Sequence, residues 1–301
     1  MGDEADFDAG TAVVTALRAI GDRMWELEPA ALSDEPDAVH QLRTNVRRVR
    51  SLLGAYGPIF DAAPALALRR RFGSLGDELG VVRDIEVRVQ VAERALDEAA
   101  EDGLIEDAEQ LEAVTTRLID AERRAHALTH ARFAERQRLP RAIARREEFT
   151  SFLDDPPFSP LGSAPARKVL RKLIAKETRR TLRRADRLQG GDDTDALHEV
   201  RKAGRRLRYA AEAVTTEPVE LFGKRVRALA EVGDDLHDVL GDHRDEVLFA
   251  EHVRRAAAHA AHKGDAALVF ERLATAADAR AAAHLRQLPD VVEKLRSLAG
   301  G

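Results

Sequence analysis

The stretch VHQLRTNVRRVR, Val39 to Arg50, has a near-copy in LHEVRKAGRRLR, Leu197 to Arg208, 158 positions later. A second pair, LGVVRDIEV from Leu79 and LGDHRDEVL from Leu240, follows in the same order at an offset of 161. Two motifs repeated in order at nearly one offset mark an internal duplication. Between the copies lies DDPPFSPLGSAP, Asp154–Pro165, with four prolines in twelve residues. No helix runs through such a stretch, because each proline lacks an N–H and clashes with the preceding turn. The chain is therefore expected to divide into a first half, 1–155, and a second, 156–301.

Within each half, apolar residues recur at helical spacing and no period-2 strand stands out. The fold class expected is all-α, with about five or six helices per half and short links that favour antiparallel neighbours. Pro29 and the SDEP of Ser33–Pro36 are expected to close one helix and cap the next. Gly57–Phe60 and Pro64 mark a turn, Gly80 and Gly103 mark later breaks, and Pro140 starts or kinks a helix. Aromatic residues make up only 4% of the chain, so Leu, Val, Ile and Ala must fill the core. With no cysteine, disulfides, thiolate metal sites and Cys nucleophiles are all excluded. No run reaches the length of a membrane span, and the acidic start MGDEADFDAG is unlike a signal peptide. Together these suggest a cytoplasmic protein with no membrane partner.

At about 100° per residue, Arg43, Arg47 and Arg50 fall within about 80° of His40, opposite Leu42, Val46, Val49 and Leu53. Arg201, Arg205 and Arg208 repeat the stripe from His198, opposite Val200, Leu207, Ala211 and Val214. Arg48, Lys202 and Arg206 flank the stripes, and Glu199 lies at the edge of the second. Like charges at this spacing cost about 0.2–0.5 kcal/mol per pair. In a chain whose formal net charge is −5, such uncompensated faces point to an anionic partner. A third basic helix, Ala166–Leu188, carries the stripe Lys168, Lys172, Lys176, Arg179 and Arg183, so a groove built from these helices would be lopsided toward the second half. Arginine forks suit phosphate oxygens, and their recurrence at about 5 Å suits an extended ligand of repeating charge. No aromatic lies on a basic stripe to stack bases, and only Gln41 and Asn45 are available to read them, so nucleic acid is disfavoured. A ligand that is all phosphate fits best.

The paired VHQLRTNVRRVR and LHEVRKAGRRLRY, with LGVVRD and LGDHRD, resemble the CHAD family, the conserved histidine α-helical domain, over Phe7 to Leu298. The resemblance implies two four-helix-type bundles related by a pseudo-twofold axis, with a basic groove or pore between them. It also implies binding of inorganic polyphosphate, as a scaffold or targeting module on polyphosphate granules and their proteins. Ligand contacts would fall on His40, Arg43, Arg47, Arg50, His198, Arg201, Lys202, Arg205 and Arg208, with Arg48 and Arg206 matching off the stripe centre. Many relatives are fused to a triphosphate-processing domain, for which this match leaves no room, so no catalytic residue, cofactor or metal is expected. Gly204, inside the second motif where the first has Val46, suggests close helix packing.

Other groups suggest less. His237, Asp238, Asp242 and His243 resemble a metal cluster, giving a metal-dependent phosphohydrolase as one alternative; a nucleic-acid-associated protein is another. Arg83–Asp84 and Arg244–Asp245 follow glycines and are expected to cap helices or pair ions. The acidic Glu93–Glu112 and Asp192–Asp195 read as solvated faces or caps. His126, His130, His252, His259, His262 and His284 share no spacing and read as surface or packing residues.

Overall fold

The computed structural model describes residues 7–103, 105, 108–188, 193–260 and 267–300. Among them every regular element is helical: α1 (Ala9–Leu32), α2 (Ala38–Ala55), α3 (Ala62–Glu101), α4 (Ala108–Thr115), α5 (Ala121–Gln137), α6 (Pro140–Asp154), α7 (Ala166–Ala185), α8 (Thr194–Glu212), α9 (Lys224–Ala260), α10 (Ala267–Leu285) and α11 (Leu288–Gly300). A π-turn, Thr116–Asp120, joins α4 to α5. No described helix is long and apolar enough to cross a membrane. His262, Asp192 and part of the acidic Glu93–Glu112 stretch lie outside the described residues, as does the side chain of His259.

The helices gather into two compact units that cut across the sequence halves 1–155 and 156–301. One comprises residues 1–79, 134–238 and 289–301; the other comprises 80–133 and 239–288. Each draws on both halves, because α3 and α9 are long enough to contribute to both. In the larger unit α1 packs on α2, α7 on α8, and the two pairs meet through α2 with α8 and α1 with α7. Leu17, Met24, Val46, Leu52, Phe72, Phe149, Leu170 and Leu207 fill its interior. The smaller unit closes around Leu118, Phe249, Val253 and Phe270, with Arg280 pairing to Glu246 at 3.0 Å and to Glu98 at 3.1 Å.

The proline-rich stretch breaks the helix as expected, yet it is a packed loop. Phe158 stacks on Phe60 at 5.8 Å between centroids and lies against Gly10, where an added Cβ would sit 2.4 Å from its ring. Backbone bonds from Ala9 N to Ala164 O (2.9 Å) and from Ser159 N to Ile59 O (3.0 Å) tie it to the start of α1 and the turn after α2. Pro140 begins α6, and Gly103, at φ +66, follows the end of α3.

Three expected boundaries are corrected. Pro29 lies inside the last turn of α1. The residue before α2 is Asp37 at φ 62, which makes no side-chain cap, so SDEP does not cap that helix. Gly80 and Gly241 interrupt nothing: α3 and α9 run through them. Arg83–Asp84 and Arg244–Asp245 are consequently mid-helix, not at helix starts, although Arg83 does pair with Glu86 at 2.9 Å. A helical glycine costs only about 1 kcal/mol, which the buried faces of a long helix outweigh. Elsewhere the expected cap is present, as the Asp193 carboxylate accepts from the amides of Asp195 and Ala196 at the start of α8.

Candidate anion-binding site

α2 and α8 bury their apolar faces as the projection requires: Leu42, Val46, Val49 and Leu53 on one, Val200, Leu207, Ala211 and Val214 on the other. Two contacts fix how they approach. The buried Tyr56 hydroxyl donates to the Ala210 carbonyl, locking the end of α2 to α8. On α8, Gly204 meets Gly233 of α9 so closely that a Cβ on Gly233 would lie 2.7 Å from Arg208 N and 2.8 Å from Gly204 O. The close packing suggested by Gly204 is therefore present.

This geometry turns the two arginine stripes onto one another. Arg47 of α2 feels the guanidinium groups of Arg205, Arg201 and Arg43, and Arg205 of α8 feels Arg201, Arg50 and Arg43. Burial first, then that mutual repulsion, pushes Arg47 down to about 8 and Arg205 down to about 10. Among the described residues neither makes an ion pair with a carboxylate. Arginine keeps its charge at neutral pH, so the downward push reflects burial and the crowding of like charges. All eleven motif residues, from His40 to Arg50 and from His198 to Arg208, are half-buried.

The flanking cations, and Arg208 at the end of the second stripe, are served by acids. Arg48 lies 3.7 Å from Glu212, and Arg208 is held by Glu212 at 2.7 Å and by Asp234. Arg48 and Arg208 also lie over the Tyr209 ring, 5.5 and 5.4 Å from its centroid. Lys202 pairs with Glu199, which also holds Arg184 at 2.8 Å. Arg206 faces the buried Glu177 at 3.7 Å. Burial above all lowers its pKa to about 10, with Glu177 opposing and Arg180, Arg69 and Arg184 adding to the fall. His40 lies in the first turn of α2, and His198 follows the first turn of α8. The centre of the cluster is thus Arg43, Arg47 and Arg50 of α2 with Arg201 and Arg205 of α8.

The α7 stripe is not part of this centre. Lys168, Lys172, Lys176, Arg179 and Arg183 are all exposed, roughly 100–180° around the helix from Glu177. The α7 cations beside α8 are Arg180 and Arg184. Glu177, 2% exposed, and Thr181, 0%, mark the packed face of α7.

Two further contributors were not anticipated in this role. His237 of α9 takes Arg201 Nε on its backbone oxygen at 3.4 Å, and its ring is influenced by Arg201, Arg205 and Arg47. Burial, assisted by those arginines against the Asp238 hydrogen bond, pushes the ring down to about 4. Its Nδ1 lies 3.3 Å from Asp238 Oδ1, and its buried Nε2 has no hydrogen-bond partner among the described residues. Arg50 runs along Gly76, where a Cβ would fall 2.9 Å from its Nη1, into a recess of about 330 Å³ lined also by Arg69, Arg70 and Asp77. The run Arg69–Arg71 was the sequence signal for this second contributor. As for the suspected metal cluster, its members face different partners: His237 the arginines and Asp238, His243 the Ala281 carbonyl at 3.0 Å, and Asp242 the His284 ring at 3.8 Å.

Guanidinium groups from two copies of one motif are thus gathered at one place among the described helices. The chain belongs to the CHAD domain family, whose model matches residues 15–254. Among solved structures it is similar to the CHAD domain from the plant Ricinus communis, with a TM-score of 0.73 and 23% identity over 98% of this chain and 94% of that one. It is similar too to PptA from Streptomyces chartreusis, with a TM-score of 0.71 and 18% identity over 96% and 99%. At those identities the likeness is one of fold. Among curated proteins, Rv2226 of Mycobacterium tuberculosis (strain ATCC 25618 / H37Rv), itself uncharacterised, is 29% identical over 93% of this chain. The uncharacterised MT2285 of strain CDC 1551 / Oshkosh matches to the same extent. The chain spans about half the length of these two relatives, 54% of each.

Proposed function

We propose that this chain binds inorganic polyphosphate through the arginine cluster of α2 and α8, as a binding module without catalytic activity of its own. The observation that carries the reading is the pair Arg47 and Arg205: half-buried, facing one another's repulsion, and without a carboxylate partner among the described residues. Arg48, Lys202, Arg206 and Arg208 have acids, whereas among the described residues Arg47 and Arg205 do not. Along α2 the cluster steps from Arg43 to Arg47 to Arg50, about 6 and 4.5 Å apart, which suits a ligand whose charge repeats. The pseudo-twofold pair of bundles with a basic groove, the cytoplasmic setting and a place on polyphosphate granules belong to the same proposal.

The test is a titration with polyphosphate of defined length, with duplex DNA as competitor at one fixed salt concentration, beside a phosphate-release assay with and without divalent metal. Saturable binding that DNA does not displace, with no phosphate released, is the expected result. Metal-dependent release would establish a phosphohydrolase instead, and displacement by DNA would establish a nucleic-acid binder.

A further inference from the structure

A cavity of about 670 Å³ opens in the larger unit between α7, the start of α9 and the last turn of α11. Its floor is apolar: Ile174 is 3% exposed, Leu229 7% and Phe222 8%, with Leu298 on the α11 side. Four exposed cations line it, Arg171 and Arg179 from α7 and Lys224 and Arg225 from α9, and no acid does. Three other recesses of that unit mix in acids: Glu212 and Glu217 in one, Asp77 in another, and Glu147, Glu148 and Asp155 in a third.

One cation is already committed. Arg225 donates to the Leu298 carbonyl at 3.0 Å, so it holds the α11 wall in place. Arg171, Arg179 and Lys224 remain to meet a ligand. Their chemistry calls for an anionic head, while the buried floor calls for a hydrocarbon body. A volume in the range of small-molecule sites, mostly apolar with a few convergent charges, is what such a ligand requires. The stripe that α7 turns away from α8 thus has a use of its own at Arg179.

We infer that this cavity is a second binding site, for a small amphipathic anion with a phosphate or carboxylate head and an alkyl body. The head contacts Arg171, Arg179 and Lys224, and the chain lies on Ile174, Phe222 and Leu229. This site is separate from the arginine cluster and does not depend on polyphosphate being that cluster's ligand.

Calorimetric titration with dodecyl phosphate below its micelle concentration tests the site, with inorganic phosphate and neutral octyl glucoside as half-ligands. The expected result is one bound dodecyl phosphate per chain, with each half-ligand at least about tenfold weaker. Arg171→Gln combined with Lys224→Gln removes two exposed charges and should weaken binding at least about tenfold, the loss of charged hydrogen bonds. Ala175→Phe, which fills the cavity from α7, should do the same. Far-UV circular dichroism checks that both variants fold; the surface double variant carries the test if the filled one does not. Wild-type affinity in the folded variants, or inorganic phosphate binding as tightly as dodecyl phosphate, would overturn the site. Binding to vesicles of anionic lipid without binding of monomeric dodecyl phosphate would also overturn it, showing a membrane-contact surface instead.

Discussion

Replacing Arg47 by methionine should make the free protein more stable and a worse ligand binder. A base whose pKa falls on folding penalises the fold while it is charged. The penalty is complete below the folded value of about 8 and fades as pH climbs from there toward arginine's ordinary range. At pH 7 it is present in full. The fall from arginine's ordinary range to about 8 corresponds to several kcal/mol at about 1.36 kcal/mol per pH unit. Exchanging buried charges for apolar groups of similar volume recovers roughly 1–4 kcal/mol in practice, because the surroundings relax and water enters. Methionine keeps an apolar stem against α8 and removes the charge. Thermal unfolding should then shift upward by about 2–4 °C per kcal/mol recovered. The same substitution removes a charged contact to the ligand, about 1.5–3 kcal/mol, so polyphosphate affinity should fall roughly ten- to a hundredfold. Calorimetry on the free protein and a binding titration read the two effects separately. A lower melting temperature together with unchanged affinity would refute the reasoning, because Arg47 would then be an ordinary structural cation.

Three other outcomes are expected. With the five central arginines neutralised by phosphates, the slope of log affinity against log salt should be about −3 to −4, by analogy with single-stranded nucleic acid, and a flat response would contradict electrostatic binding. His237 is held near 4 against an ordinary 6.5, so as pH falls through that window the unfolded chain takes the proton first and up to about 3 kcal/mol of stability is lost. A bound polyanion should raise the ring's pKa, so calorimetry near pH 6 in buffers of different ionisation enthalpy should show proton uptake that His237→Gln abolishes; its persistence in that variant would place the proton elsewhere. Gly233→Ala drives a Cβ into backbone atoms of α8 and should cost about 1–3 kcal/mol or more by chemical denaturation, whereas Gly57→Ala, with nothing within 4 Å, should cost far less.

What the sequence discloses here is what is local or repeated. The faces of α2 and α8 follow from helical periodicity within each stretch, and their joint importance follows from their repetition. The break at Asp154–Pro165 follows from proline chemistry. What escapes depends on partners far along the chain. Glycine at 80 and 241 looks like a helix stop until the buried faces of α3 and α9 are known. On α7, charge counting finds the exposed arc from Lys168 to Arg183, while the meetings of Arg184 with Glu199 and of Glu177 with Arg206 arise only when α7 packs on α8. His237 stands in the sequence beside Asp238 as a metal candidate, and only the crossing of α8 with α9 brings it to the arginines. The mixing of both halves in each compact unit is likewise invisible in one dimension, because the long helices that produce it look like ordinary amphipathic segments broken by glycine.

The meeting of α2 with α8 has a consequence for direction. Two separate copies of one repeat, assembled about a symmetry axis, would have to present identical surroundings to each. Joined in a single chain, they are released from that obligation. Arg208 has acquired Glu212 and Asp234, whereas its counterpart Arg50 shares its recess with Arg69 and Arg70 as well as Asp77. A linear polyanion laid across the cluster would therefore find a muted margin at one side and a strongly cationic one at the other. Its two ends, chemically the same in solution, would no longer be equivalent once bound.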